Sequence, residues 1–312
     1  MSIASNVLEA IGNTPLVELR RVVPADHARV LVKLEGTNPT GSMKDRMAIT
    51  VIERAESDGR LLPGGTVVEY SGGSTGTSLA LVCAVKAYRI RVVTSDAFSQ
   101  EKRDHMRALG ADLIEVPSEG GQITKELIEE MIEMAQQTSE EPGTFYSDQL
   151  QNEDGIAGYH PLGEEIWSQT GGSVDAFIQV VGTSHSIEGT AAVLCSYNPK
   201  IRIVAVEPAE SQVLSGGEQG AHKIEGIGLG FIPPLWKASI ADEIMTVSTE
   251  EAKLMARQLA SHEALFAGTS SGANVVAAIR VAKRLGPGYS VVTLLVDSGL
   301  KYLTTDLYTS FK

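Results

Sequence analysis

A chain of 312 residues with 43% hydrophobic and 21% charged side chains has the size and composition of a globular protein with a substantial core. Its formal net charge of −13 argues against nucleic acid and against anionic lipid, since both select basic faces. No apolar run reaches membrane-spanning length, and residues 1–6 lack the basic and apolar segments of a secretory signal, so a cytoplasmic protein is expected.

In chain order, residues 30–34 read as a strand and 44–57 as a helix after a turn. A strand at 66–69 leads through Ser71-Gly72-Gly73-Ser74-Thr75-Gly76 into a helix at 77–87. Strands at 90–95 and 112–116 precede helices near 100–109 and 125–140. A strand at 176–181 leads through Gly182-Thr183-Ser184-His185-Ser186 into a helix at 187–196. Strands at 201–207 and 243–247 follow, then helices at 249–261 and 270–285, and a strand at 291–295. The stretch 208–240 is glycine-rich and irregular, which in a compact protein points to function. Cys83 and Cys195 lie in apolar helical patterns and read as buried free thiols.

Strands alternating with helices predict an α/β protein with mostly parallel sheets covered by helices. A TIM barrel and two doubly wound lobes both satisfy that alternation. Three Gly/Ser/Thr turns, at 71–76, 182–186 and 268–272, are expected where a strand feeds a helix. There, converging backbone N–H groups suit a phosphate or carboxylate, although a turn with a Ser/Thr cap reads the same way.

Sharper motifs mostly fail. Gly36-Thr37-Asn38-Pro39-Thr40-Gly41 has P-loop glycine spacing, but Ser42-Met43 stand where Lys-Ser/Thr is required. Gly226-Ile227-Gly228-Leu229-Gly230 runs into Pro233-Pro234 and is no dinucleotide fingerprint. Metal-ligand spacing is absent, so no metal is expected. Two G-x-S-x-G matches, centred on Ser74 and Ser270, keep a serine hydrolase open, with His105, His160, His185, His222 and His262 as candidate partners.

Asn38-Pro39-Thr40-Gly41-Ser42-Met43-Lys44-Asp45-Arg46 resembles the N-P-T-G-S-x-K-D-R signature of the cysteine synthase family, fold-type II enzymes that use pyridoxal phosphate. Further blocks of the resemblance are Ile11-Gly12-Asn13-Thr14-Pro15, Glu207-Pro208-Ala209-Glu210-Ser211, the run from His222 to Pro233, Gly268-Thr269-Ser270-Ser271-Gly272-Ala273 and Tyr302-Leu303-Thr304-Thr305. The resemblance implies two doubly wound lobes of the tryptophan synthase β kind, a smaller mobile one at 39–148 and a larger one from 1–38 plus 149–312. It implies a homodimer acting on a small amino acid with sulfide or another small nucleophile.

Carried over by the resemblance, Lys44 would hold pyridoxal 5'-phosphate as a Schiff base and abstract the substrate's α-proton. Ser74, Gly182, Thr183, Ser184, His185, Ser186 and Ser270 would complete the cofactor site, with Ser270 facing the pyridine nitrogen. Ser71, Gly72, Gly73, Thr75, Gln149 and Gly226 would bind the substrate. The implied reaction converts O-acetyl-L-serine and sulfide to L-cysteine and acetate. Another activated serine or nucleophile, as in cystathionine formation, and a cofactor-binding pseudo-enzyme are the alternatives. An acetyl donor is favoured over a phosphorylated one, since no arginine lies between His222 and Trp236.

The chain departs from the family at two loops. The family's T-S-G-N-T becomes Ser71-Gly72-Gly73-Ser74-Thr75, with serine in place of the asparagine that meets the cofactor. The phosphate cup G-T-G-G-T becomes Gly182-Thr183-Ser184-His185-Ser186, which adds side chains where backbone approaches phosphate and makes His185 a candidate for an extra contact or charge.

Overall fold

A computed structural model describes residues 3–309. In chain order the strands and helices begin with β1 (Leu16–Glu18), β2 (Arg29–Leu34), α1 (Lys44–Ser57), β3 (Thr66–Tyr70) and α2 (Ser74–Lys86). They continue with β4 (Arg89–Ser95), α3 (Gln100–Ala108), β5 (Asp112–Val116), α4 (Lys125–Ser139) and β6 (Thr144–Tyr146). Next come α5 (Asp154–Ala157), α6 (His160–Thr170), β7 (Ala176–Val180), α7 (His185–Tyr197) and β8 (Arg202–Pro208). The chain closes with β9 (Glu243–Val247), α8 (Thr249–Glu263), α9 (Thr269–Leu285), β10 (Ser290–Leu295) and α10 (Asp306–Thr309).

The strands form two open sheets, not a barrel. Six lie in the order β1-β2-β10-β7-β8-β9, all parallel except the antiparallel edge pair β1–β2. Four lie in the parallel order β5-β4-β3-β6, drawn from the single stretch 66–146. Strands β3, β7 and β10 are buried at every position, as central parallel strands covered on both faces must be. In α1, buried Met47, Ala48, Val51, Ile52 and Ala55 recur at helical spacing and form one apolar stripe.

One hydrophobic core runs through both sheets by way of α1 and α2. A second, smaller core lies on the other face of the four-stranded sheet, around Val68, Val93, Leu127 and Met131. Leu229 and Phe231, from the irregular stretch, pack against that second core. Among the described residues, no helix is long and apolar enough to cross a membrane.

Most expected elements recur within a few residues of their predicted ends, but the differences are informative. Helix α2 starts at Ser74 and α7 at His185, two or three residues earlier than apolar periodicity suggests, because the first turn of a helix needs no buried stripe. The turn at 268–272 does not follow a strand: it joins α8 to α9, and Ala267, just before it, forms an isolated bridge with Ser298. The stretch 208–240 is irregular as expected, with one short turn of 3₁₀ helix at Ala238–Ile240 beyond the end of β8.

Candidate active site

Parallel α/β sheets present their loops at the carboxyl ends of the strands, and the candidate residues gather there. Lys44 opens α1 shortly after β2, the 71–76 loop follows β3 and the 182–186 loop follows β7. Val296, just past β10, joins the start of α1 to the 268–272 turn. Its N–H donates to Ser271 Oγ (2.9 Å), and its carbonyl accepts from Met43 N (3.0 Å).

Lys44 keeps some surface open to the cleft, yet protein surrounds its amine and no side chain or carbonyl accepts from it among the described residues. Desolvation pulls its pKa from 10.5 to about 8, and the buried carboxyl of Glu69 only partly offsets this. Glu69 is itself pushed up to about 8 by burial, against hydrogen bonds from Ser147 Oγ (2.7 Å), Gln149 N (3.0 Å) and Tyr70 N (3.0 Å). A lone acid in the apolar strand 66–69 was its only sequence signal.

Thr75 and Gln149, 74 residues apart, meet directly: Thr75 Oγ1 donates to Gln149 Oε1 (2.7 Å) and Gln149 Nε2 to the Tyr70 carbonyl (2.8 Å). Ser71 Oγ accepts from Gly73 N (3.0 Å) and Gly76 N (2.9 Å), which folds the loop back on itself. Helix α2 has no side-chain cap, and among the described residues the N–H groups of Gly72, Ser74 and Thr75 meet no protein acceptor. That is a donor set for a carboxylate. The glycine at position 72 has a partner: a Cβ there would lie 2.5 Å from the Phe98 ring, so the ring fills the space a side chain would take.

The 182–186 loop has the same open chemistry. Its N-cap, Ser184, adopts φ 74° and caps nothing, and among the described residues the N–H groups of Gly182, Thr183, Ser184, His185 and Ser186 meet no protein acceptor. Ser184 Oγ is buried without a partner among the described residues. Ser186 Oγ accepts from Gln179 Nε2 (3.1 Å), so its own proton is available to a ligand. Gln179 is held in turn by Asn274 Nδ2 (3.0 Å), whose Oδ1 accepts from Val180 N (2.7 Å). The Gly226 carbonyl lies where a Cβ on Gly182 would be, so only glycine lets the 222–230 segment close on this loop.

His185 points elsewhere. Its Nε2 donates to the Asn152 carbonyl (2.9 Å), so Nδ1 accepts from Thr183 Oγ1 (2.9 Å), and both ring nitrogens are occupied. Burial, reinforced by nearby Lys44, lowers its pKa to about 4 and keeps it neutral. Ser270 is buried in the first turn of α9, while Gly226 is exposed. Among the described residues, no histidine hydrogen-bonds to Ser74 or Ser270, so neither G-x-S-x-G match assembles a hydrolase triad.

A loop of unpaired N–H groups at a strand–helix junction, beside a desolvated lysine, is the equipment of an enzyme that anchors a phosphorylated carbonyl cofactor. The family model described as pyridoxal-phosphate dependent enzyme matches residues 7–297, and the chain belongs to that family. Within it, the chain is 44% identical to a cysteine synthase of Staphylococcus aureus over 306 residues, 97% of this chain and 96% of that one. The crystal structure of a cysteine synthase from Entamoeba histolytica superposes with a TM-score of 0.91 at 38% identity, covering 98% of this chain and 91% of that one. An O-acetylserine dependent cystathionine beta-synthase from Helicobacter pylori gives 0.92 at 36%, covering 99% and 100%.

The cofactor is therefore pyridoxal phosphate, and the chain's residues fit it. The five free N–H groups and the orphaned Ser184 hydroxyl match a phosphate dianion at the start of α7.

Proposed function

We propose that this enzyme makes L-cysteine and acetate from O-acetyl-L-serine and sulfide, acting as a cytoplasmic homodimer. The observation that carries the reading is the placement of a desolvated lysine beside a separate, open carboxylate site: Lys44 interacts with Glu69, and Glu69 holds the backbone of Gln149. When bound, pyridoxal phosphate supplies the electron sink that makes a substrate α-proton removable.

The protein's own part is positioning and proton transfer. The N–H groups of Gly72, Ser74 and Thr75, with Gln149 beside them, bind the substrate carboxylate and orient the α-carbon toward Lys44. With its pKa lowered to about 8, the lysine amine is neutral in a minority fraction near physiological pH, far larger than for an ordinary lysine, and in that form takes the proton as general base. The loop at 182–186 carries the phosphate on backbone N–H groups, with Ser184 and Ser186 adding hydroxyls. Ser270 would offer a neutral hydroxyl to the ring of the cofactor, which would favour loss of a β-substituent over transamination. Gly226, with no side chain, leaves room for the substrate amine.

The acetyl donor follows from the same surroundings, because the segment from His222 to Trp236 offers no arginine fork to a phosphate. The purified protein should show visible absorption from its cofactor, release cysteine from O-acetylserine and sulfide, and lose the absorption in Lys44→Ala. Loss of the base should also lower the rate by about 10²–10⁴-fold. A colourless protein, or one that uses homocysteine and ignores sulfide, would overturn the assignment.

A further inference from the structure

The 222–231 segment carries Gly226, which closes on the 182–186 loop at Gly182. That segment follows β8 of the six-stranded sheet, yet its far end rests on the other body through Leu229 and Phe231. Its near end is held there by charge. Lys102, in the first turn of α3, forms an ion pair with Glu225, the residue immediately before Gly226. The two side chains are 5% and 19% exposed, so water screens the pair weakly.

Lys102 reaches further than one partner. Its aliphatic stem lies directly on Gly73, where a Cβ would collide with it. Its ammonium sits 4.5 Å from the centre of the Tyr302 ring, a cation–π contact with the chain's last segment. Neighbouring residues make matching contacts to that segment. Ser99 Oγ donates to the Lys301 carbonyl (3.1 Å), and Glu101 accepts from Thr304 N and Oγ1 (both 2.7 Å). One turn, residues 99–102, thus touches the carboxylate loop, the glycine-rich segment and the C-terminal segment together. Through Gly226 against Gly182 the contact extends to the phosphate loop.

We infer that Lys102 and Glu225 are positioning residues, a clasp that fixes Gly226 over the bound amino acid and keeps water from the substrate after its acetate has left. This rests on the proposed reaction, in which the activated carbon chain must wait for sulfide. Without sulfide, water that enters converts the donor to side products: O-acetylserine plus water gives acetate, pyruvate and ammonia. Pyruvate release therefore reads how well the clasp closes.

The test is a double-mutant cycle on the cofactor-loaded enzyme, with Lys102→Ala, Glu225→Ala and the pair together. Each single change should raise pyruvate formed per O-acetylserine consumed, and speed amide hydrogen exchange at 222–231, by about tenfold, a scale set by coupling between contacting residues. The double variant should be no worse than the worse single. Wild-type values in the singles, or multiplied effects in the double, would overturn the clasp. Glu225→Gln keeps the side-chain volume and guards against misfolding. It should move both readouts in the same direction, and unchanged loop exchange in it also counts against the inference. Exchange at 222–231 requires no turnover, so an enzyme inert toward O-acetylserine would defeat the reaction assignment and leave the clasp still testable.

Discussion

Lys44 and Arg46 stand two residues apart in the first turn of α1 and face opposite surroundings. Behind the helix, Arg46 donates to both oxygens of Glu35 (2.7 and 2.9 Å) and both of Glu165 (2.8 Å each). Lys33 donates to Glu165 (2.6 Å), and Thr14 and Asn38 donate to Glu35 (2.6 and 3.0 Å). Burial alone would disfavour the Arg46 cation, but these partners outweigh it and raise its pKa. In front, Lys44 has burial that Glu69 only partly offsets, and its pKa falls. The same helix turn carries one cation satisfied by ion pairs and one, proposed above as the base, with no hydrogen-bond acceptor among the described residues.

Four expected outcomes would break or sharpen that contrast. The largest is in stability: Arg46→Ala leaves buried Glu35 and half-buried Glu165 without their main partner and should cost about 3–5 kcal/mol in denaturant unfolding. Lys44→Ala, measured on cofactor-free protein, should leave stability unchanged or raise it, since no hydrogen bond is lost and a desolvated amine is removed. A cost for Lys44→Ala equal to that of Arg46→Ala would erase the contrast.

Acid should expose the next effect, in two windows. Glu165 is drawn from 4.5 to about 2, because Arg46 and Lys33 outweigh its burial. A depressed carboxyl stabilises above its unfolded value, so stability should fall as pH drops from 4.5 toward 2. His185 is depressed from 6.5 to about 4, and a histidine kept neutral likewise loses stability as pH falls through that interval. Thermal unfolding against pH should show both declines, and His185→Gln should flatten only the upper one. The smallest effect is chemical: burial pushes the Cys83 thiol up to about 12, so a thiol reagent should label half-buried Cys195 first and reach Cys83 only on unfolding.

Much of the site was legible in the sequence, and the reason is local. The signature around Lys44 and the loops at 71–76 and 182–186 are contiguous, so spacing and residue type reveal them, and α1, β5 and β9 were bounded at the residues observed. What escaped depends on distant partners. The Arg46 cluster joins residues 14 to 165, and Phe98 covers Gly72 from a different loop. No element was expected over helix α6, whose sequence carries Pro161 and Gly163. Yet the proline occupies the first turn, and the glycine lets α7 approach at Val193. Strands β1 and β6 are three residues each, too short for alternation to register.

The loop that opens α7 has a consequence for how such enzymes diverge. The anion site proposed there is built largely on main-chain N–H groups, so substitutions that preserve the backbone path need not disturb them. His185 turns its ring away to grip Asn152, Ser186 is tied to Gln179, and the N–H groups are left as they were. Substitutions that keep Gly182 and the backbone path can therefore change the letters of this loop without removing its N–H groups, and a drifted sequence here is a poor sign of a lost prosthetic group.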